Sequence, residues 1–140
     1  MVQTLTSSLK KSGLRLTATR TAICEYLAQT SEHPTAARIY DDLKGQYPSL
    51  SLATVYNTLD VLVSMGVVNV LGHAGDGNSH FDANIQPHIN LACLNCHSII
   101  DYPSEEPSKM EELISAESGY KLLGSRVMYY GLCPICQAAR

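Results

Sequence analysis

The 140-residue sequence lacks the features that mark several large classes of protein. No apolar run approaches the roughly 18 residues needed to span a bilayer, so we predict no transmembrane segment and no membrane partner. Residues 1–13 are polar where a signal peptide would need an apolar stretch. We also find no nucleophile motif and no phosphate-binding loop, which argues against an enzyme with a small-molecule substrate. These absences together favour a cytoplasmic protein that is not an enzyme.

Charged residues are scarce at 16%, whereas hydrophobic residues make up 45% of the chain. Such a composition is typical of a globular protein rather than a disordered one. The length is that of one ordinary domain or of two small domains joined closely. It is enough to bury a core but not enough for a large enzyme.

Acidic residues are absent from the first 24 positions, which contain four basic side chains. The net charge of −3 is therefore distributed unevenly: residues 1–71 have six basic and five acidic side chains, whereas residues 72–140 have four and eight. A weakly basic half joined to an acidic half indicates two units with different tasks. The basic start is where a nucleic acid would bind, although the whole chain is acidic.

Three helices are predicted in the first half, each beginning at a side chain that can accept a hydrogen bond from the backbone. Thr17, Thr35 and Ser51 are the capping residues, and Gly66 ends the third helix. Two β-prone runs follow around a glycine-rich turn and predict a hairpin. Three helices and a hairpin are typical of a winged helix-turn-helix domain; the alternative is a helical core with an additional hairpin.

The third helix has two different faces. Its polar face has uncharged hydrogen-bonding groups and neither Lys nor Glu, which suits a helix laid in the major groove of DNA better than a merely solvated surface. Basic residues upstream of it can meet phosphates or the minor groove. The apolar positions are Leu52, Val55, Leu59 and Leu62, the polar ones are Thr54, Tyr56, Asn57 and Thr58, and the basic ones are Lys10, Lys11, Arg15 and Arg20.

The second half predicts a small α/β unit. Four runs with β character surround one helix, and the first two of them flank a Cys-x-x-Cys turn. The helix, at residues 104–118, begins with acidic residues and is predicted to turn apolar side chains inward. The β runs are residues 89–93, 98–102, 120–123 and 125–133, and the inward side chains are Met110, Leu113 and Ile114.

The fold class predicted from these patterns is α+β. An N-terminal winged helix-turn-helix domain is expected at residues 1–82, and a small C-terminal α/β domain at residues 88–140. Residues 83–87 are predicted to form the hinge between them.

Four of the five cysteines form two Cys-x-x-Cys pairs, each beside a predicted strand and turn. Two such turns can offer four thiolates, each about 2.3 Å from one ion, and so build a tetrahedral zinc site. Disulfides are the main alternative, which a cytoplasmic setting disfavours, and a redox site would need only one of the two pairs. The sequence thus predicts structural Zn(2+) at Cys93, Cys96, Cys133 and Cys136, and leaves Cys24 as a small buried side chain.

A second set of candidate ligands combines imidazoles with carboxylates. Such donors suit a borderline divalent ion such as Fe(2+) or Mn(2+) better than a thiolate cage does. Each lies at a predicted joint: before a helix, at the end of the hairpin, at the start of the second unit or at a strand end. A metal there would tie the two halves together. The set is His33, Asp82, His88 and Asp101, with Asn90 two residues after His88.

In order and spacing, these motifs resemble the ferric-uptake-regulator (Fur) family of metal-dependent transcriptional repressors. The resemblance covers essentially the whole chain: GLRLTATR at residues 13–20, HPTA at 33–36, SLATVYNTL at 51–59 and the two cysteine pairs. It implies a homodimer with a winged-helix domain, a C-terminal dimerisation domain holding structural zinc, and a regulatory metal between them. It also implies that Tyr56 contacts a base, and Arg15 the backbone or minor groove, of double-stranded operator DNA.

Within that family the chain is most similar to the peroxide-sensing (PerR) branch. In that branch three histidines and two aspartates hold the regulatory metal, whereas iron sensors commonly have glutamate at the two acidic places and a His-His-Asp-His run. Here both acids, Asp82 and Asp101, are aspartate, and Pro87-His88-Ile89-Asn90 replaces the run. Asn90 departs from the family's histidine, and a site with fewer imidazoles should favour Mn(2+) relative to Fe(2+).

The departure at position 90 leaves three alternatives. The amide oxygen of Asn90 can ligate as a weaker donor, the metal can use four protein ligands, or a neighbouring histidine can substitute. The neighbouring histidines are His73, His80 and His97, for each of which a surface role is the favoured prediction.

The resemblance also implies a switch. With iron in the site, peroxide is expected to oxidise His33 or His88 and to release the DNA. Our hypothesis for the mechanism is that metal binding favours the arrangement in which the two recognition helices of the dimer match a palindromic operator. An iron- or manganese-responsive uptake regulator would use the same residues without peroxide chemistry. A zinc-uptake sensor is less favoured because all four paired cysteines are already used, and a metalloenzyme would need an open coordination position and a general base.

Overall fold

The computed structural model describes residues 1–139, which fold into helices and two small sheets. The predicted α+β class is confirmed, and no helix within these residues is both long and apolar enough to cross a bilayer. The elements in chain order are α1 (Val2–Lys11), α2 (Ala18–Gln29), α3 (Ala36–Leu43), α4 (Leu52–Ser64), β1 (Asn69–Leu71), β2 (His80–Asp82), β3 (Ile89–Cys93), β4 (Ile99–Tyr102), α5 (Glu106–Ser118), β5 (Val127–Gly131) and α6 (Pro134–Ala138).

Helices α2, α3 and α4 begin where the capping pattern predicts. The side-chain oxygens of Thr17, Thr35 and Ser51 accept hydrogen bonds from the backbone N–H three residues later, at 3.3, 3.1 and 3.1 Å. Each bond satisfies an amide that the helix itself leaves unpaired. Gly66 follows α4 with a φ of +75°, a left-handed conformation that glycine adopts easily. Local chemistry therefore determines the ends of these helices.

Helix α1 was not predicted from the sequence. Its serines and threonines have weak helix propensity, so residues 2–11 carry little local indication of a helix. Leu5 and Leu9 are nevertheless fully buried in the core of the first half. Packing of these two leucines stabilises the helix, as is usual for helices that are marginal in isolation.

Two assignments on α4 were wrong. Thr58, predicted on the polar face, is fully buried, and Leu52, predicted in the apolar stripe, is 39% exposed. Thr58 lies three residues after Val55 and therefore shares its side of the helix. The Thr58 hydroxyl donates to the carbonyl oxygen of Thr54 at 2.7 Å, and this bond allows the side chain to be buried.

The sheet of the second half has the strand order β4-β3-β5. Strand β3 pairs antiparallel with β4 and parallel with β5. This register places Asn90 opposite Asp101 on one side and opposite Met128 on the other. The parallel pairing also brings Cys93 beside Gly131, and so brings the two cysteine pairs to the same end of the sheet.

The second half differs from its predicted form in three respects. Residues 120–123 are not a strand, because Gly119 ends α5 in a left-handed conformation and irregular backbone follows. The short α6, which begins directly after Cys133, was not predicted. Helix α5 buries none of its side chains, so the prediction that it turns apolar residues inward was wrong for the single chain. Met110, Leu113 and Ile114 are all exposed, since periodicity identifies an apolar face but not what covers it.

Candidate metal centres and nucleic-acid interface

Four thiols converge where the turn after β3 meets α6. The Sγ atoms of Cys93, Cys96, Cys133 and Cys136 all lie within 4.8 Å of one another, and those of Cys96 and Cys133 are 4.0 Å apart. Sulfurs that surround a tetrahedral zinc ion at about 2.3 Å are about 3.8 Å from each other. The four free thiols therefore have the spacing of one tetrahedral site.

Backbone amides favour the thiolate form in the first pair. The backbone N–H groups of Cys96 and Cys133 lower the pKa of Cys93 to about 5, and a hydrogen bond with Ser98 lowers the pKa of Cys96. Asn95 stabilises the thiolate of Cys136, but the neighbouring thiols outweigh it and raise the pKa of Cys136 to about 11. Four thiolates this close repel one another, so full ionisation requires a cation among them.

Cys24 lies apart from this site. It is fully buried in the core of the first half, as predicted. Burial, together with the nearby charge of Glu25, raises its pKa to about 11. Its thiol is thus kept neutral, as expected for a packing residue.

The imidazoles and carboxylates converge at the junction of the two halves. His33 precedes α3, Asp82 ends β2, His88 precedes β3 and Asp101 lies in β4. Their donor atoms all lie within 4.8 Å of one another. We call these four side chains the junction cluster. Ligand atoms about 2.1 Å from an octahedral ion and 90° apart are about 3.0 Å from each other, which is the scale of the contacts found here.

The shortest contacts in the junction cluster join residues of different halves. His33 Nε2 lies 3.0 Å from Asp101 Oδ1 and 3.4 Å from Asp82 Oδ2. His88 Nε2 lies 3.0 Å from the same oxygen of Asp82. Each imidazole therefore faces a carboxylate across the junction, and each presents Nε2 to the shared centre.

Hydrogen bonds outside the cluster orient two of its members. His88 Nδ1 donates to the carbonyl oxygen of Gln86 at 2.6 Å, which leaves Nε2 to face the carboxylates. Asp82 Oδ1 accepts a hydrogen bond from the backbone N–H of Asn84 at 2.9 Å, which leaves Oδ2 for the centre. Outer contacts of this kind set the tautomer and orientation of metal ligands.

The charges in the cluster stabilise each other. Burial disfavours the protonated form of His33, but Asp82 and Asp101 outweigh it and raise the pKa of His33. Burial likewise disfavours the ionised form of Asp82, but hydrogen bonds from His33 and from the Asn84 backbone outweigh it and lower its pKa. The ionised form of Asp82 is therefore favoured, and a cation bound in the cluster would neutralise its charge.

Asn90 lies beside the cluster, opposite Asp101 in the strand register. Its side chain is 2% exposed, and Nδ2 donates to the carbonyl oxygen of Val127 at 3.2 Å. Its Oδ1 is buried and has no hydrogen-bond partner. An unpaired acceptor in the interior is costly, so its position next to an anionic cluster fits a ligand for a cation.

The three neighbouring histidines bond elsewhere. His80 is buried, so the prediction of a surface role for it was wrong. Its Nδ1 donates to the carbonyl oxygen of His33 at 2.6 Å, and its Nε2 lies 3.0 Å from Asp76 Oδ2. His73 Nδ1 accepts a hydrogen bond from the backbone N–H of Gly75, and His97 Nδ1 donates one to the carbonyl oxygen of Ala74; both partners lie in the loop between β1 and β2. The sequence analysis did not predict that His80, itself in contact with Asp76, would bond to the backbone of His33. The one indication was that Asp76 and His80 are four residues apart across a glycine-rich turn.

The candidate DNA-binding residues of α4 reach the surface. Tyr56 and Asn57 are exposed, and Thr54 is partly buried beside the cap residue Ser51. Arg15 is exposed between α1 and α2. Its carbonyl oxygen accepts a bond from the guanidinium of Arg20.

The two lysines lie differently. Lys10 and Lys11 are exposed in the last turn of α1. Lys11 lines a groove with Met65 and Val67, beyond the C-terminal end of α4. Tyr56 and Met65 are nine residues apart, or roughly 13 Å along a helix. Lys11 therefore lies near the C-terminal end of α4, whereas Tyr56 lies in the first half of that helix.

Comparison with known proteins places the chain in a family. The sequence profile of the Ferric uptake regulator family matches residues 11–130. Over 129 residues the chain is 40% identical to the peroxide operon regulator of Bacillus subtilis, covering 92% of this chain and 88% of that protein.

Two solved structures extend the similarity to the fold. PerR from Streptococcus pyogenes is 36% identical, with a TM-score of 0.55 over 97% of this chain and 92% of that chain. The ferric uptake regulator Fur of Helicobacter pylori has a TM-score of 0.75 over 98% of this chain and 94% of that chain, and at 21% identity it shows the fold alone. The predicted combination of a winged-helix domain and a small C-terminal α/β domain is confirmed.

The prediction that this protein is not an enzyme is also confirmed, because proteins of this family are transcription regulators. The family profile matches most of the chain, and the relative at 40% identity is covered almost throughout. The chain therefore belongs to the Ferric uptake regulator family of metal-dependent repressors.

Proposed function

We propose that this protein is a metal-dependent transcriptional repressor that responds to peroxide. The main support is the junction cluster, in which His33 and Asp82 of the first half lie together with His88 and Asp101 of the second half. An ion bound there stabilises one arrangement of the two halves. In this proposal residues 1–82 form the DNA-binding domain, residues 83–87 the hinge, and residues 88–140 the dimerisation and metal-binding domain.

We assign different ions to the two clusters. The four cysteines hold structural Zn(2+), because closed sulfur sites are typical of structural zinc. The junction cluster holds regulatory Fe(2+) or Mn(2+), which accept mixed nitrogen and oxygen ligands. Oδ1 of Asn90 is the fifth ligand, supported by its burial, its missing hydrogen-bond partner and its place opposite Asp101.

The second half also supports a homodimer. Exposed apolar side chains lie on α5, β4 and β5, and contiguous apolar surface is typical of a site of protein–protein contact. A second copy of the chain would cover them and would place two α4 helices at a fixed spacing for a palindromic operator. The residues are Ile100, Tyr102, Met110, Leu113, Ile114, Tyr129 and Tyr130.

Helix α4 reads the operator in this proposal. Tyr56 and Asn57 contact base edges in the major groove, since both are exposed on the side of α4 that faces away from the core. Thr54, which is partly buried at the start of α4, contacts a base edge through its hydroxyl. Arg15 contacts the DNA backbone or the minor groove, and Lys10 and Lys11 contact phosphates. The place of Lys11 near the end of α4 assigns it to phosphates away from the bases that Tyr56 contacts.

The response to peroxide rests on the two histidines of the cluster. Fe(2+) held by the cluster would activate peroxide toward an adjacent imidazole. The ring gives up two electrons and gains one oxygen atom, and the second oxygen of the peroxide leaves as water. His33 and His88 both present Nε2 to the shared centre, so their rings are the nearest oxidisable groups. Oxidation of either ring weakens the link between the halves. A coupling of about 1–3 kcal/mol, or roughly 5–150-fold in DNA affinity, is sufficient for a switch. The names of the relatives and the two aspartates of the cluster support this response.

The decisive experiment compares the Fe(2+) and Mn(2+) forms on a DNA duplex selected in vitro with the metal-loaded protein. We expect both forms to bind, and peroxide to release only the Fe(2+) form while adding one oxygen atom to a peptide that contains His33 or His88. His33→Ala should abolish metal-dependent binding, whereas the loop variant His73→Ala should retain it. Release by a chelator but not by peroxide, with unchanged histidine masses, would instead identify an iron- or manganese-responsive uptake regulator.

A further inference from the structure

His97 has an unusual backbone conformation. Among residues 1–139 it alone combines a side chain with a positive φ, which is 64°. L-residues adopt this left-handed conformation reluctantly, and glycine adopts it without strain. A non-glycine residue keeps this conformation only where surrounding contacts stabilise it, and residues of this kind are concentrated at functional sites.

The turn of the first cysteine pair holds the backbone of His97. Its N–H donates to the carbonyl oxygen of Cys93 at 2.9 Å, and the N–H of Cys93 donates to the carbonyl oxygen of Ser98 at 2.9 Å. Cys93 and Cys96 are also ligands of the proposed zinc site. A zinc-loaded turn therefore presents the His97 side chain in a set direction.

That side chain reaches the other half of the molecule. His97 Nδ1 donates to the carbonyl oxygen of Ala74 at 2.7 Å. Ala74 belongs to the loop between β1 and β2, residues 72–79, which we call the wing loop. Although the loop is largely exposed, Ala74 is fully buried at this contact.

Gly75 shows that the backbones also approach closely. Its φ is +84°, and a Cβ at this position would lie 2.9 Å from the carbonyl oxygen of Leu94 and 3.3 Å from Nδ1 of His97. A side chain here would therefore have to displace the backbone of the cysteine turn. The wing loop and the turn fit together only because residue 75 is glycine.

We propose that His97 is a positioning residue that links the wing loop to the zinc-bound cysteine turn, as a second connection between the domains beside the junction cluster. The inference rests on the proposed function, because the arrangement it stabilises is the one that binds DNA. Two connections that stabilise the same arrangement reinforce each other. Loss of the His97 link therefore weakens regulatory metal binding without touching a metal ligand.

The test uses full-length, zinc-loaded protein and two measurements that need no DNA: hydrogen exchange of residues 72–79 and the Kd for Mn(2+). His97→Gly removes the hydrogen bond while keeping the left-handed turn, so it should retain zinc. We expect faster exchange in the wing loop and roughly two- to tenfold weaker Mn(2+) binding, the effect of one hydrogen bond. Gly75→Ala should produce the same changes from the other side of the contact.

His97→Asn provides the matched rescue. Asparagine tolerates the left-handed conformation, and its amide nitrogen lies the same number of bonds from Cα as Nδ1 of histidine. We expect this variant, and the control His73→Asn, to behave like the wild type. The proposal is overturned if His97→Gly and Gly75→Ala retain wild-type exchange and Mn(2+) binding, or if His97→Asn is as impaired as His97→Gly. If the wild type binds Mn(2+) but no DNA, the proposed function fails and these two measurements still decide the role of His97.

Discussion

The two halves of this chain are stabilised in different ways. The first half buries a continuous set of leucine, isoleucine and valine side chains, whereas the buried apolar residues beyond position 88, within the described chain, are Ala92, Cys93 and Cys136. No residue of helix α5 is fully buried. A unit this small has little core of its own, and metal ligation and assembly are the usual substitutes.

The second half therefore depends on its ligands more than the first half does. The first half can reach its fold by hydrophobic burial alone, because its helices cover each other. The second half contains the four cysteines, the exposed apolar surface and the buried Asn90. We therefore expect its structure to depend on zinc and on a second copy of the chain, and the following predictions test that contrast.

Loss of one zinc ligand should have the largest effect. In Cys96→Ser we expect zinc to be lost and residues 88–139 to lose protection against hydrogen exchange, while residues 2–82 keep theirs. Structural zinc contributes an apparent 10–16 kcal/mol in small zinc-binding peptides, far more than a single core contact. Cys24→Ala is the matched control, because this cysteine lies in the first core and should leave the zinc content unchanged. Full protection of residues 88–139 in zinc-free protein would contradict the prediction.

A core truncation should act on the first half alone. Leu59 is fully buried, so Leu59→Ala should lower the free energy of unfolding by about 2–5 kcal/mol, measured by urea denaturation with circular dichroism. Leu113→Ala, at a position 57% exposed, should leave the first half unchanged and shift the monomer–dimer equilibrium, measured by sedimentation. Equal losses of stability in the two variants would show that α5 is packed within its own chain.

Substitutions of Asn90 test whether this buried polar side chain of the second half is a ligand of the regulatory metal. Asn90→Ala removes the unpaired Oδ1, and we expect Mn(2+) affinity to fall roughly tenfold, as for other changes around metal ligands. Zinc content should not change. Asn90→His should increase the preference for Fe(2+) relative to Mn(2+), because imidazole is the better donor to iron. Calorimetric titration of each ion checks both variants, and unchanged affinities would exclude Asn90 from the site.

The smallest expected effect concerns a helix cap in the first half. Ser51 accepts a hydrogen bond from the N–H of Thr54 at the start of α4. Ser51→Ala should lower the free energy of unfolding by about 1 kcal/mol without changing zinc or Mn(2+) binding. Ser49→Ala, two residues earlier and exposed, is the control and should match the wild type in urea denaturation.

Part of the fold and of the candidate site could be predicted because it depends on neighbouring residues. Capping side chains act over three residues, so Thr17, Thr35 and Ser51 were recognisable as helix starts. The spacing within each cysteine pair is local as well, and it identified four thiols that the structure brings together. The imidazoles and carboxylates were recognisable as a group because each lies at a joint between predicted elements, although Asp101 proves to lie within β4.

The remainder required contacts between residues far apart in sequence. Burial of Leu5 and Leu9 stabilises α1 despite its weak local propensity, and burial of His80 against the backbone of His33 contradicts its expected surface role. The pairing of β3 with β4 decides that Asn90 faces Asp101, which no local pattern specifies.

Composition and short-range spacing were sufficient to identify the types of ligand, the helix starts and the division into a basic and an acidic half. Contacts between distant segments, by contrast, bring the four donor atoms together at the junction and bring His97 to the wing loop. The same contacts leave the apolar face of α5 uncovered by the rest of the chain, which its periodicity alone did not show. Distances between elements follow from how the whole chain packs, and packing is a property that no short segment possesses.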